Sequence, residues 1–306
     1  MLNLNFECYG CSNPVLNMND HHLSRKKRTL NNRLSEKIGV SKRNRKTVQE
    51  NDYTFNCQST DIKLNGSQSA VQLSTYHSEK IISAGSALRL TKDFYNQACT
   101  ILAKDLLGKV LVRRLESGEV LRGRIVETES YLGIEDKTSH SYKGKRTERN
   151  EAMFLDPGTA YVYTIYGMYY CFNISSREEG SAVLIRALEP LEGIPTMREF
   201  RSVKRNNSST LKDKDLCNGP SKLCQAFKIE KTLLNKADLC TSSDLWLETG
   251  FTVARSNIVA CKRIGVDSYG DEWASKPLRY YIKDNIYVSI KNKVAEKLLE
   301  TSLNNG

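Results

Sequence analysis

No stretch of this chain approaches the roughly 20 consecutive apolar residues that a membrane-spanning helix requires, so none is expected. The N-terminus, Met-Leu-Asn-Leu-Asn-Phe-Glu, has neither a basic n-region nor an apolar h-region, and secretion is not expected either. There is no Gly-rich phosphate loop and no internal repeat, which argues against the usual nucleotide-binding folds and against solenoids. Histidine is scarce: the chain has 4, and His140 is the only one after residue 77. Zinc-ligand spacing is also lacking, because Cys8 and Cys11 form an isolated Cys-x-x-Cys and the next candidates, Cys57 and His77, stand at no ligand spacing. The 9 cysteines are an odd count without a secretory signal, as expected of reduced thiols in a cytosolic or nuclear protein. Cys171, Cys217, Cys224 and Cys261 read as small buried apolar groups.

What the chain does have is positive charge. A formal net charge of +11 over 306 residues, with a pI near 9.1, favours an anionic partner such as nucleic acid or an acidic membrane. Hydrophobic residues make up 39% of the chain, low enough to predict that part of it is disordered. Residues 1–85 carry that expectation, being rich in Asn, Ser, Lys and Arg without helical or strand periodicity. The basic groups Arg25-Lys-Lys-Arg28 and Lys42-Arg-Asn-Arg-Lys46 suit a two-part nuclear localisation signal or loose phosphate contacts, and equally a solvated tail.

Order is expected from about Ala87. Thr91 is placed to cap one helix carrying Phe94, Ala98, Ile101 or Leu102, and Leu106, which Gly108 would end. A hairpin follows, with Val110-Leu-Val-Arg, a turn at Ser117-Gly118, and a longer strand from Val120 to Glu129. Alternation along that strand places Leu121, Ile125, Glu127 and Glu129 on one face. The run Tyr161 to Ser175 reads as two strands joined at Tyr166-Gly167, with Tyr166 at or next to an exposed tip. Ala182-Val-Leu-Ile-Arg-Ala187 is a further strand whose Arg186 needs Glu127 or Glu129 as a partner if buried. Pro195 suits the first turn of a helix, Arg201 to Lys214 a polar loop, and Asn218-Gly-Pro220 the opening of another helix. Strands are also expected at Leu278 to Ile282 and at Val288-Ser-Ile, with a short helix after about Lys293.

A carboxylate held ionised by arginine can take a proton from water, which is general-base work. Basic residues among aromatics suit phosphates and stacked bases, and a hairpin-tip side chain can enter the minor groove as a wedge. Two other readings stay open on the residues alone. Glu127, Glu129, Glu135 and Asp136 could hold magnesium in a nuclease, or the aromatic cluster could recognise damaged DNA without catalysis.

Several stretches go further. Arg124-Ile-Val-Glu-Thr-Glu-Ser-Tyr-Leu-Gly133, Ser139-His-Ser141, Met153-Phe-x-x-Pro-Gly158, Tyr161-Val-Tyr-x-Ile-Tyr-Gly-Met-Tyr169, Asn173-Ile-Ser-Ser176, Val183-Leu-Ile-Arg-Ala-Leu-Glu-Pro190 and Gly219-Pro-Ser-Lys-Leu223 resemble the alkyladenine (3-methyladenine, or methylpurine) DNA glycosylase family, as do Arg263-Ile-Gly-Val266 and Lys276-Pro-Leu-Arg-Tyr280. The resemblance covers about residues 88–290. It implies an α+β fold: a single compact domain with a curved antiparallel β-sheet, surrounding helices and a protruding DNA-intercalating β-hairpin. Together with the composition, this gives the expected domains: a disordered basic region at 1–85, the DNA glycosylase domain at 86–295 and a C-terminal tail at 296–306.

By position, the resemblance makes Glu129 the general base and Arg186 the residue that helps position its water. Tyr131, His140 and Tyr163 become walls for a flipped purine, Asn173 a pocket residue disfavouring guanine, and Tyr166 the intercalating tyrosine. Lys145, Arg146 and Lys222 are candidate contacts to the DNA backbone. The implied activity is that of a monofunctional glycosylase of base excision repair. It would release 3-methyladenine, 7-methylguanine, hypoxanthine or ethenoadenine from double-stranded DNA and leave an abasic site. No metal or organic cofactor is required; the expected state is a monomer without membrane contact, acting in the nucleus and also in mitochondria. The basic segment Lys143-Gly-Lys-Arg146 departs from the family pattern, and residues 251–260 match it poorly.

Overall fold

The computed structural model describes residues 87–203 and 211–304. The segment expected to be disordered at 1–85, the Cys8–Cys11 pair, both basic groups and part of the Arg201–Lys214 loop lie outside them. Helix α1 (Lys92–Tyr95) is separate from α2 (Cys99–Asp105), where the sequence predicts one continuous helix. The break has a local cause in hydrogen bonding. The Gln97 side chain donates to the Phe94 carbonyl (2.7 Å), and the Cys99 amide that opens α2 is taken by the Glu178 carboxylate (2.9 Å). Thr91 makes no capping bond through its side chain.

The remaining elements, in order, are β1 (Val110–Arg114), β2 (Val120–Tyr131), β3 (Ala160–Ile165), β4 (Tyr169–Ser175), β5 (Ala182–Glu192), α3 (Ile194–Ser202), α4 (Pro220–Ala226), α5 (Lys231–Leu234), β6 (Leu245–Glu248), β7 (Ile258–Cys261), α6 (Asp271–Ala274), β8 (Arg279–Ile282) and α7 (Lys293–Asn304). The strands form one antiparallel sheet in the order β3-β4-β5-β2-β1-β6, with β8 pairing the far half of β2 and β7 pairing β8. This is the α+β class that the resemblance implies. The long strand β2 is its spine, because residues 120–124 pair with β1 whereas Glu127 to Glu129 pair with β8. Helices α2 and α4 cover the main apolar core through Leu102, Leu106, Leu223 and Phe227, which pack with Leu121, Ile125, Ile185 and Leu188 from the sheet.

One irregularity in the sheet decides where the carboxylates point. Between β2 and β5 the register runs Ile125 opposite Leu188, Glu127 opposite Ala187 and Thr128 opposite Ile185, so Val126 and Arg186 are each an extra residue on their strand. Ile125, Ile185 and Leu188 face the main core, while Val126 and Ala187 join a second, smaller apolar cluster with Val259 and Tyr281. Beyond the bulge, the Thr128 and Ser130 hydroxyls donate to the carbonyls of Ala103 (2.7 Å) and Cys99 (3.2 Å), toward α2. Glu127 and Glu129 therefore leave the face of Leu121 and Ile125, contrary to the simple alternation read from the sequence. A single added residue exchanges the faces of all that follow it.

Other expectations resolve unevenly. The hairpin turn falls at Tyr166-Gly167, the helix with Pro195 in its first turn runs on to Ser202, and Pro220 opens α4. Residues 288–290 are not a strand; the Ser289 amide instead donates to a Glu127 oxygen (2.7 Å). The strands β6 and β7 have no counterpart in the sequence reading. Helix α7 continues to Asn304, so most of the segment expected as a tail from 296 is helical. Its Ala295 and Leu299 pack on the second apolar cluster.

Candidate active site

Glu127 and Glu129 are both fully buried on β2, and Arg186 on β5 reaches both. Its Nε lies 3.0 Å from Glu127 Oε1 and its Nη1 3.1 Å from Glu129 Oε1. Burial alone would lower the pKa of this guanidinium, but the two adjacent carboxylates outweigh it and raise the value. Arg186 is therefore a fixed positive charge.

The two glutamates differ in what remains of their hydrogen-bonding capacity. Glu127 Oε1 also accepts from Arg279 Nη1 (3.0 Å) and the Ser289 hydroxyl (2.9 Å), and its Oε2 accepts from the Ser289 amide. Glu129 Oε1 is shared by Arg186 and the Ile264 amide (2.8 Å), while its Oε2 has the Tyr131 hydroxyl at 3.1 Å. Each Oε2 accepts one bond and keeps a lone pair; the glutamates differ in that Glu127 takes four donors, two of them arginines, whereas Glu129 takes three and its Oε2 meets the cavity residue Tyr131. Burial, with Glu129 second, holds the Tyr131 pKa well above the usual range; its hydroxyl stays protonated and donates.

Tyr131 also lines a cavity of about 150 Å³ together with Thr138, Ser139, His140, Met153, Tyr161, Tyr163, Asn173, Gly265, Val266 and Tyr269. The cavity thus unites Tyr131 at the end of β2 with Tyr163 on β3, although β4 and β5 lie between those strands in the sheet. His140 packs edge-on against Tyr163, with ring centroids 4.7 Å apart, and its Nδ1 is 2.8 Å from the Tyr161 hydroxyl. The Asn173 side-chain amide nitrogen donates a hydrogen bond to the Tyr161 carbonyl (3.1 Å). Loss of solvent, then the charges of Arg149 and Lys145, push the His140 pKa down to about 4.

Behind Tyr131 lies a buried ion pair. Asp136 accepts from Arg263 Nη1 (2.5 Å) and Nη2 (3.1 Å), while the Arg263 guanidinium carbon lies 4.8 Å from the Tyr131 ring centroid. Asp136 further accepts from the amides of Leu132 and Thr138, so it anchors the loop leaving β2. With Asp136 committed to Arg263, Glu127 to two arginines and Glu135 exposed, the four acids considered for magnesium do not converge. Among the described residues, no group of three or more His, Cys, Asp or Glu side chains is arranged to hold a metal.

At the far end of β3, Tyr166 is 86% exposed at φ +51°, followed by Gly167 at φ +68°. Two successive positive φ angles are the mark of a hairpin turn that suits strand twist. Tyr166, Tyr169, Arg201, Ser221 and Lys222 border one cleft, so the structure brings the tip together with Lys222. Arg146, by contrast, is held by Glu151 (2.6 Å) and lies over Phe154, and Lys145 is exposed nearby.

A family model for methylpurine-DNA glycosylase matches residues 93–286. The chain belongs to the methylpurine-DNA glycosylase family. The human DNA-3-methyladenine glycosylase is 51% identical over 216 residues, 70% of this chain and 72% of the human protein. The mouse protein of that name is 50% identical over 214 residues, 69% of this chain and 64% of its own length. A Clostridium botulinum protein is 50% identical over 207 residues, 67% of this chain and all of its own length. Several residues in and around the cavity are not singled out by the sequence reading. Arg149, Tyr269 and the anchoring role of Asp136 carry no local signal in the sequence, whereas Arg263 opens one of the family motifs with no role legible there. Val266 and Met153 stood inside family motifs and were given no role.

Proposed function

We propose that this methylpurine-DNA glycosylase acts in base excision repair by hydrolysing the N-glycosidic bond of an alkylated or deaminated purine flipped out of duplex DNA. The substrates are 3-methyladenine, 7-methylguanine, hypoxanthine and ethenoadenine, and the product is an abasic site. The observation that carries the reading is the pairing of a buried carboxylate, Glu129, with an aromatic cavity through their shared neighbour Tyr131. Glu129 takes a proton from water as that water attacks C1′ of the deoxyribose and the bond to the purine nitrogen breaks. Arg186, paired with Glu129 at 3.1 Å, orients the water. The sugar passes through an oxocarbenium-like state, which the nearby negative charge stabilises.

The tyrosines and His140 enclose the base. A purine alkylated at N3 or N7 carries positive charge, and aromatic faces favour it by about 0.5–2 kcal/mol. A neutral His140 adds no opposing charge. Asn173, fixed against the β3 backbone, disfavours the amino group of guanine. Tyr166 fills the gap left by the extruded nucleotide, with Lys222 beside it for the phosphates. The protein works as a monomer in the nucleus, and the chemistry needs no lysine nucleophile, so strands are not nicked. Single-turnover release from duplexes carrying each lesion tests this. Wild type should liberate free base and leave alkali-labile sites, and release of none of the four bases would sink the proposal.

A further inference from the structure

Tyr131 has a cation behind it. The Arg263 guanidinium carbon lies over the ring, 4.8 Å from its centroid, yet neither Arg263 nor its partner Asp136 lines the cavity that Tyr131 borders. Both of those side chains are wholly shielded from solvent. A nucleobase in the cavity therefore reaches Tyr131 from another side and cannot touch the guanidinium. It still feels the charge. An aromatic ring attracts a cation through the negative potential of its faces, and a cation already held over the ring opposes a second one. Burial keeps water from screening that opposition.

Asp136 cancels it. Its carboxylate accepts from Nη1 (2.5 Å) and Nη2 (3.1 Å) of Arg263. Burial alone would raise the Asp136 pKa, but the hydrogen bonds and charge of Arg263, with help from Thr138, outweigh it and hold the carboxyl below its usual range. The pair is ionised on both sides and sums to no charge behind the ring. Packing alone does not call for it. Arg263 Nη1 also donates to the Ser130 carbonyl (2.9 Å), but Nε is buried without a hydrogen-bond partner among the described residues, and apolar side chains would fill the same space without that penalty. We infer that Asp136 is a specificity-determining residue: by neutralising Arg263 it leaves the Tyr131 ring able to accept a positively charged purine, and so sets the preference between cationic and neutral lesions. This rests on the glycosylase reading, which supplies both kinds of lesion.

The test compares single-turnover release by the full chain from one duplex carrying either 7-methylguanine, which is cationic, or hypoxanthine, which is neutral. For each lesion the rate constant is divided by the half-saturating enzyme concentration. The readout is the ratio of the two values, which a partly folded preparation leaves unchanged. Asp136→Asn strips the anion and should lower the ratio of 7-methylguanine to hypoxanthine about tenfold, the order expected of one uncompensated charge about 8 Å away at an effective dielectric constant of about 20. Arg263→Met strips the cation and should raise the ratio. Arg263→Lys keeps the charge and should stay near wild type. A pair that only supports the fold would weaken release of both bases together. An unshifted ratio in both single variants, or a shift of the same sign in both, therefore overturns the inference. Should circular dichroism show that one single variant does not fold, the other carries the test through its expected direction. Release of neither base by wild type overturns the glycosylase reading and this inference with it, whereas release with an unshifted ratio overturns this inference alone.

Discussion

Arg186 reaches Glu129 with Nη1 at 3.1 Å while its Nε holds Glu127 at 3.0 Å, so one guanidinium spans two carboxylates of the same strand. The carboxylates are nonetheless unequal, because Glu127 is also bound by Arg279 and Ser289 whereas Glu129 Oε2 meets Tyr131. Substitution should separate their roles.

Glu129→Gln keeps the size of the side chain and removes the base. Base release should fall by at least about 10²–10⁴-fold, the usual worth of a positioned general base, with binding to lesion-containing duplex retained. Glu127→Gln should act mainly on the fold, lowering stability by about 3–5 kcal/mol as two buried arginines lose their anion. Paired denaturation and single-turnover measurements check both; full activity in Glu129→Gln would end the general-base assignment.

Arg263 and Asp136 form a wholly buried pair beneath Tyr131. Either Arg263→Met or Asp136→Asn leaves an uncompensated partner and should cost about 3–5 kcal/mol. The double variant should recover part of that loss, read as a coupling energy from urea melts. Additive losses would show that the pair is not coupled.

Tyr166 offers a test in which stability and function move in opposite directions. Its positive φ suits glycine better than tyrosine, so Tyr166→Gly should leave stability unchanged or raise it by up to about 1 kcal/mol. Release of hypoxanthine from duplex should nevertheless drop, since extrusion of the base loses its wedge. Equal duplex activity in the variant would remove Tyr166 from the mechanism.

His140 makes a pH signature in stability. Its pKa is about 4 in the folded protein, below the ordinary value of 6.5. Between those values the unfolded chain binds more protons, so its contribution is complete above about pH 6.5 and is lost as pH falls toward 4. His140→Gln should flatten that part of the stability curve, measured by chemical denaturation at intervals from pH 7 to 4. An unchanged slope would mean that another group sets it.

Much of the candidate site is legible in the sequence because Glu129 and Tyr131 share one motif and Tyr161, Tyr163 and Tyr166 another, while chemistry as well as family resemblance points to Arg186 as the partner of a glutamate. Other features were hidden for physical reasons. Alternation assigned Glu127 and Glu129 to the face of Leu121 and Ile125, and the added Val126 in β2 reversed it, an event no residue type announces. Arg263 stands 127 residues from Asp136, and Arg279 is 152 from Glu127, so neither pair has a local signature. The break between α1 and α2 depends on Glu178, 79 residues beyond Cys99 in the chain. Tyr166 was legible because the turn that exposes it is set by its own neighbour, Gly167.

The bulges on β2 and β5 also act as a key and its slot. Val126 and Arg186 are surplus residues on adjacent strands; sliding β5 by one position would set the Arg186 guanidinium against the main core and Ile185 against the carboxylates, and sliding β2 would turn the carboxylates themselves toward that core. A misregistered sheet is thereby penalised in charge as well as in packing. Transplanting the reaction onto another scaffold would require carrying both strands across together, because neither one alone encodes the alignment of base and cation.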